Sequence, residues 1–229
     1  NQFPDMGRAL YEGNPVFRAA IDECAALLQP ELGLDIREVL YPEDSRRAEA
    51  EERLAQTFIT QPAIFMVSYA TARVFLHLGL KPALLIGHSV GEYVAAALAD
   101  VMTLESALLA VAFRGRLIYG LPRGSMLAVL KSEAELVGLL PDTLDVAVIN
   151  SPELVVVSGP DEAIADFEQR MAAQKVFTKL LPTSHAFHSR MMAPSLQPFR
   201  DFFRRVALQA PRIPILSTVT GQPMSAEQA

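Results

Sequence analysis

Residues 82–93 read Pro82-Ala83-Leu84-Leu85-Ile86-Gly87-His88-Ser89-Val90-Gly91-Glu92-Tyr93, and this stretch decides the fold. Ala83-Leu84-Leu85-Ile86 is a short, wholly apolar run bounded by proline and glycine, the pattern of a strand buried on both faces of a parallel sheet. Gly87 to Gly91 makes a tight turn, and good helix formers resume from Tyr93 to Leu98. Strand, turn and helix without a spacer form the local unit of an α/β domain.

The spacing Gly87-x-Ser89-x-Gly91 fits a nucleophile elbow, in which a sharp turn lifts the serine hydroxyl above the sheet and the glycines let strand and helix approach. An oxyanion formed there would accept from the Val90 N–H, with the helix dipole adding to its stabilisation. The plainer reading of the same residues is a glycine-rich turn; their position between an apolar run and a helix favours the elbow.

A serine hydroxyl is a weak nucleophile and needs a base. The chain has four histidines. His77 falls inside a helical stretch among Phe75, Leu76 and Leu78 and reads as a packed or surface residue. His88 adjoins Ser89, and since neighbouring side chains on a tight turn point apart, it reads as a buttress of the elbow. There remains Ser184-His185-Ala186-Phe187-His188-Ser189, which carries both other histidines. A metal reading of His185 and His188 lacks further ligands at sensible spacing.

Outward from the elbow, Asn14-Pro15 reads as an N-cap with proline at the first helical position, and Phe17, Ala20, Ile21, Cys24, Leu27 and Leu28 recur at helical spacing. Cys24 is therefore a core residue. Glu43–Arg53 reads as an exposed loop and helix start, and a second long helix as running from Pro62 to Leu78, stopped by Gly79. A third spans Leu104 to Tyr119. After Arg123-Gly124 come shorter elements: strand Met126–Leu130, a helix opened by the capping box Ser132-Glu133-Ala134-Glu135, strands Asp145–Ile149 and Leu154–Val157, helix Asp161–Ala173 and strand Val176–Leu181. The order β-α-β-β-α-β is that of a ferredoxin-like unit. A helix at Pro194–Val206 and a buried strand at Ile213–Ser217 return to the larger unit. The expected fold is α/β: an α/β-hydrolase-like parallel-sheet subdomain (1–124 and 185–229) with an inserted ferredoxin-like small subdomain (125–184).

The 229 residues are 51% hydrophobic and 20% charged, which excludes a disordered tail. A net charge of −6 with no Lys/Arg-rich run gives no footprint for nucleic acid. Apolar stretches at Ala95–Leu98 and Leu108–Phe113 are broken by Asp100, Glu105 and Arg114 before they could span a bilayer. A single cysteine permits no internal disulfide, and the chain begins with no basic-then-apolar signal, so the cytoplasm is the expected location.

Several separated motifs carry a resemblance over essentially the whole chain: Phe3-Pro4-Asp5-Met6-Gly7, Thr60-Gln61-Pro62-Ala63-Ile64-Phe65, the Gly87–Tyr93 elbow, Phe113-Arg114-Gly115-Arg116, Asn150-Ser151-Pro152, Val155–Gly159 and His185–Ser189. The sequence resembles the acyltransferase domain of modular polyketide synthases, similar to malonyl-CoA:acyl carrier protein transacylase. The resemblance implies Ser89 as nucleophile, His188 as general base and Arg114 as the grip on the free carboxylate of the acyl group. Val90, Gln61 and His88 are the remaining expected substrate-binding positions, and His185 with Phe187 the expected specificity positions. A guanidinium suits the carboxylate role physically, because its planar fork matches a carboxylate; without the resemblance Arg114 reads as a solvated helix arginine. In the family it resembles, a Gly-His-Ser-Val elbow with His-Ala-Phe-His goes with malonyl rather than methylmalonyl selection, so the resemblance implies a malonyl preference with Phe187 filling the space of an α-methyl; ordinary packing is the alternative for Phe187.

The implied activity loads a malonyl unit from malonyl-CoA onto the phosphopantetheine thiol of an acyl carrier protein through a malonyl-serine, with no metal or redox cofactor. Implied partners are the carrier protein and neighbouring synthase domains such as a ketosynthase, with no nucleic acid and no membrane. The resemblance further implies that a first strand with a Gly-Gln-Gly turn precedes Asn1 and that the residue orienting the histidine lies beyond Ala229. Two rival readings stand beside it. A serine hydrolase would need an acid to orient its base, for which Asp142, Asp145, Asp161 and Asp166 are candidates. A non-catalytic docking module of a synthase would need neither Ser89 nor His188.

Overall fold

Asn14 opens the first long helix as its residue type dictates: the side-chain oxygen accepts from the N–H groups of Val16 and Phe17 at 3.0 and 3.1 Å. The computed structural model describes residues 2–225, so the outer limits of the expected large subdomain, Asn1 and Ala229, lie outside them. Contact density divides the chain into two units, one comprising the described residues up to Arg116 and those from Asp201 onward, the other Leu117–Arg200. The boundaries read from the sequence, at 124/125 and 184/185, fall inside the second unit.

The first unit begins with α1 (Arg8–Gly13), α2 (Pro15–Leu32), α3 (Ile36–Leu40) and α4 (Arg47–Leu54). Helix α2 buries Phe17, Ala20, Ile21, Cys24, Ala25 and Leu28, the face its periodicity marks, and ends at Gly33 in the left-handed conformation. Against it runs α5 (Thr57–His77), which buries Ala63, Phe65, Met66, Tyr69 and Ala70 and is the central helix of the core. Helix α5 begins five residues before the expected start. Pro62 lies within it rather than at its first position, because the first turn is secured upstream, where the Gln56 carbonyl accepts from Ile59 and Thr60 N–H at 2.8 Å each.

Strand β1 (Leu85–Ile86) leads to α6 (Val90–Leu98) and then α7 (Leu104–Tyr119). β1 pairs in parallel with β6 (Ile215–Leu216), in the register Leu85↔Ile215 and Ile86↔Leu216. The expectation of a strand buried on both faces is corrected here: Leu84 is 47% and Ile86 67% exposed. Among the described residues β1 has a single neighbouring strand, so part of the apolar run lies uncovered. The side of this pair that is covered packs Leu85 and Ile215 with Ala95, Ala99 and Val101.

The second unit contains β2 (Ser125–Val129), α8 (Glu133–Leu136), β3 (Asp145–Ser151), β4 (Leu154–Gly159), α9 (Asp161–Ala173) and β5 (Thr178–Leu180). The strands form one antiparallel sheet in the order β3-β4-β2-β5. That order follows from the β-α-β-β-α-β sequence: the β3–β4 hairpin slots β4 beside β2, and β5 returns to the other side of β2. Leu127 and Val129 alternate onto the face that carries the second core, with Val155, Val157, Leu136, Ile164, Phe167 and Met171. Ser132 and Glu135 close the reciprocal capping box expected of α8. The chain then enters α10 (Ala193–Phe203). Both the parallel pair and the antiparallel sheet are present, and the fold is α/β.

Candidate active site

Ser89 stands between β1 and α6 with φ 52° and ψ −110°, a conformation that L-residues rarely adopt. Strain of this kind costs about 1–3 kcal/mol and persists where the surroundings enforce it. Gly87 shows the enforcement: a methyl group there would come within 2.2 Å of the Gly91 carbonyl and 2.3 Å of the Glu92 nitrogen. The end of the strand and the first turn of the helix are thus pressed together, and the chain between them must turn sharply. Gly91 N–H donates to His88 O at 2.9 Å and Glu92 N–H to Ser89 O at 3.0 Å. Val90 supplies the first N–H of α6, where the helix has no carbonyl of its own to receive it. His88 is exposed rather than packed beneath the turn as a buttress would be.

Arg114 projects from α7 towards α5. Its Nη1 donates to Gln61 Oε1 at 2.5 Å, across 53 residues of sequence. Gly115 lets the two helices meet, since a methyl there would lie 2.8 Å from Phe58 Cα and 2.9 Å from Thr57 O. Arg116, one residue further, is paired with Glu31 at 2.8 Å. Among the described residues no carboxylate makes an ion pair with Arg114. Burial pulls the pKa of Arg114 below the usual arginine value, with the charges of Tyr93 and Glu92 in the first turn of α6 opposing that shift. Gln61 is only 4% exposed, and its Nε2 is buried without a hydrogen-bond partner. A desolvated guanidinium and an unused amide N–H group together favour an anionic acceptor. The sequence singled out both residues but carried no local sign of their contact, which depends on two helices brought together by tertiary packing.

The histidine motif lies in the second unit. His185 is 3% exposed; its Nδ1 lies 2.8 Å from Ser184 Oγ, and its Nε2 makes no hydrogen bond of normal geometry. Burial lowers its pKa; the nearby Leu121 carbonyl opposes the shift, Arg123 adds to it, and the Tyr119 carbonyl opposes it. Phe187 is half-buried and meets His185 edge-on, with ring centroids 6.2 Å apart and planes at 63°. His188 is exposed and, like Ser89, has a positive φ, 58°. The expected serine thus belongs to the first unit and the expected base to the second. Of the acids weighed for a hydrolase, Asp145 has both oxygens engaged by Arg190, and Asp161 accepts from Ser125 Oγ at 2.6 Å. Among the described residues no group of three or more His, Cys, Asp or Glu is placed to hold a metal ion, and no helix is long and apolar enough to cross a membrane.

Comparison with known proteins places these residues in context. A family profile described as acyl transferase domain matches residues 1–229. The spectinabilin polyketide synthase system protein NorB of Streptomyces orinoci is 40% identical over 232 residues, covering 100% of this chain and 11% of that protein. The solved acyl transferase domain of ZmaA superposes with a TM-score of 0.88 at 39% identity, over 99% of this chain and 52% of that one. The malonyl CoA-acyl carrier protein transacylase of Burkholderia pseudomallei superposes with a TM-score of 0.82 at 30% identity, over 93% and 73%. The chain spans about a tenth of the length of the curated relative quoted.

Proposed function

Starting from the fact that the chain belongs to the acyl transferase domain family, we propose that it transfers a malonyl group from malonyl-CoA to the phosphopantetheine thiol of an acyl carrier protein, with Ser89 as the covalent carrier. The observation that carries the reading is the strained Ser89 at the N-terminus of α6, held by the close approach at Gly87. Such a turn presents the hydroxyl and aims helix N–H groups at the carbonyl it attacks.

In the first step the Ser89 hydroxyl adds to the thioester carbonyl while His188 takes its proton. The tetrahedral oxyanion accepts from the Val90 N–H. Collapse breaks the C–S bond, and CoA leaves as a thiol with the proton from His188, giving a malonyl-serine ester. In the second step the carrier thiol loses its proton to His188 and adds to the ester. Collapse then breaks the bond to Ser89 Oγ, which regains the proton. This sequence of bonds uses no metal and no redox cofactor. The family resemblance assigns His188 its role, and its left-handed backbone is the supporting observation.

Arg114 and Gln61 account for the malonyl carboxylate. The guanidinium has donors left after Gln61 Oε1, and the Gln61 amide N–H group adds a further donor. Phe187, braced by His185, is assigned the space beside the α-carbon, where excluding one methyl group contributes about 1–3 kcal/mol of discrimination. His88, being exposed, is assigned to the rim where CoA or the carrier arm enters. By analogy with the polyketide synthases it matches, the chain works beside a carrier protein and other synthase domains, a ketosynthase among them, in the cytoplasm.

The test is incubation with malonyl-CoA with and without a phosphopantetheine-bearing carrier protein. Malonyl-carrier as the dominant product supports the transferase; free malonate at the same rate whether or not carrier is present would favour a hydrolase instead.

A further inference from the structure

His188 is held in its left-handed conformation by contacts on both sides, all within the second unit. On the N-terminal side, Ala186 is fully buried and its Cβ abuts Gly124, where an added methyl would come within 2.8 Å. On the C-terminal side, the buried Ser189 donates from Oγ to Ala186 O at 2.7 Å, closing the loop across His188. The next residue supplies the long-range anchor. Arg190 N–H donates to Asp145 Oδ2 at 2.7 Å, while its Nε and Nη2 reach Asp145 Oδ1 at 3.0 and 2.8 Å. Asp145 is the first residue of β3 and pairs in register with Ser158 of β4. One carboxylate therefore receives both the main chain and the side chain of Arg190, and fastens the histidine loop to the sheet.

We propose that Asp145 is a positioning residue for His188: by gripping Arg190 through both its main-chain N–H and its guanidinium, it fixes where the imidazole stands. This rests on the assignment of His188 as the base. Three donors of one residue on one carboxylate constrain direction as well as distance. The guanidinium lies largely in solvent, so a partner that served stability alone would gain little from it. The backbone bond is the informative one, because it sets the chain two residues from His188. Hydrogen bonding from Arg190 also holds the Asp145 carboxyl below the usual carboxylate range, so the anchor stays ionised at working pH.

The experiment measures the rate of Ser89 acylation by malonyl-CoA, followed by quenched intact-mass analysis, for Asp145→Ala, Asp145→Asn, His188→Ala and the double variant Asp145→Ala/His188→Ala. A misplaced base costs on the order of 10- to 100-fold. Asp145→Ala is expected to show that loss with KM unchanged. Asp145→Asn, which keeps one oxygen for the Arg190 N–H, is expected to recover part of it. In the His188→Ala background Asp145→Ala is expected to change the rate by less than about twofold, because a residue that acts through the histidine has nothing left to position. An equal loss in both backgrounds, or no loss in either, overturns the proposal and leaves the base assignment standing. A His188→Ala variant as fast as wild type overturns the base assignment and the positioning role with it.

Discussion

Replacing Gly87 by alanine tests the geometry of the elbow without touching a reacting group. The new methyl would sit 2.2 Å from the carbonyl carbon and oxygen of Gly91 and 2.3 Å from the nitrogen of Glu92. Heavy atoms rest comfortably at about 3.5 Å, so strand and helix must part by about 1 Å. The obstructing atoms are all backbone, and no side chain can swing away to relieve them. Overpacking of this kind costs about 1–3 kcal/mol, and a backbone clash belongs at the upper end. For a chain of this size about 3 kcal/mol lowers Tm by roughly 6–12 °C. A displacement of about 1 Å at the nucleophile costs on the order of 100-fold in rate. Calorimetry and quenched intact-mass measurement of Ser89 acylation read the two effects separately. An unchanged Tm together with an acylation rate within about twofold of wild type would refute the argument that close approach at Gly87 creates the elbow.

Other residues make equally direct predictions. Arg114→Ala is expected to slow malonyl loading by about 30-fold or more, the equivalent of the 2–5 kcal/mol lost when a buried charge-assisted contact is truncated, while acetyl loading changes little; equal losses would remove the carboxylate role. Asp35 caps α3 and accepts from Arg37, whose hydrogen bond lowers the Asp35 pKa below 3.8. Its ion pair therefore adds stability that is fully present above pH 3.8 and is lost as pH falls through the lowered folded value. In urea melts Asp35→Asn should be less stable than wild type at pH 7, the difference closing in strong acid; a difference that persists unchanged there contradicts the assignment. Cys24 is fully buried and its thiol is pushed up to about 12 by desolvation, so iodoacetamide should label it only on unfolding. Native labelling at the denatured rate would contradict that.

What could be read from the sequence follows from the range over which each signal acts. Asn14-Pro15 and the capping box at Ser132–Glu135 are legible because capping is local chemistry, decided within one turn. The strand order of the second sheet was implicit in its element order, since hairpin and crossover leave few alternatives. The start of α5 lies upstream of Pro62 because its first turn is closed on the Gln56 carbonyl, and nothing in the residue types there announces it. Leu84 and Ile86 were expected to be buried because an apolar run reports affinity for a core, not the number of neighbouring strands. Ser89 was found through its glycines. The Arg114–Gln61 contact and the Asp145–Arg190 anchor join residues 53 and 45 positions apart, and nothing local announces either.

The central claim is that Ser89 carries the acyl group. Intact-mass analysis of the protein after exposure to a mixture of malonyl-, methylmalonyl- and acetyl-CoA, beside Ser89→Ala, tests it most directly. The account predicts a malonyl adduct on the wild type, located to Ser89 by peptide mapping, and none on Ser89→Ala. A covalent adduct of undiminished yield on Ser89→Ala would contradict it.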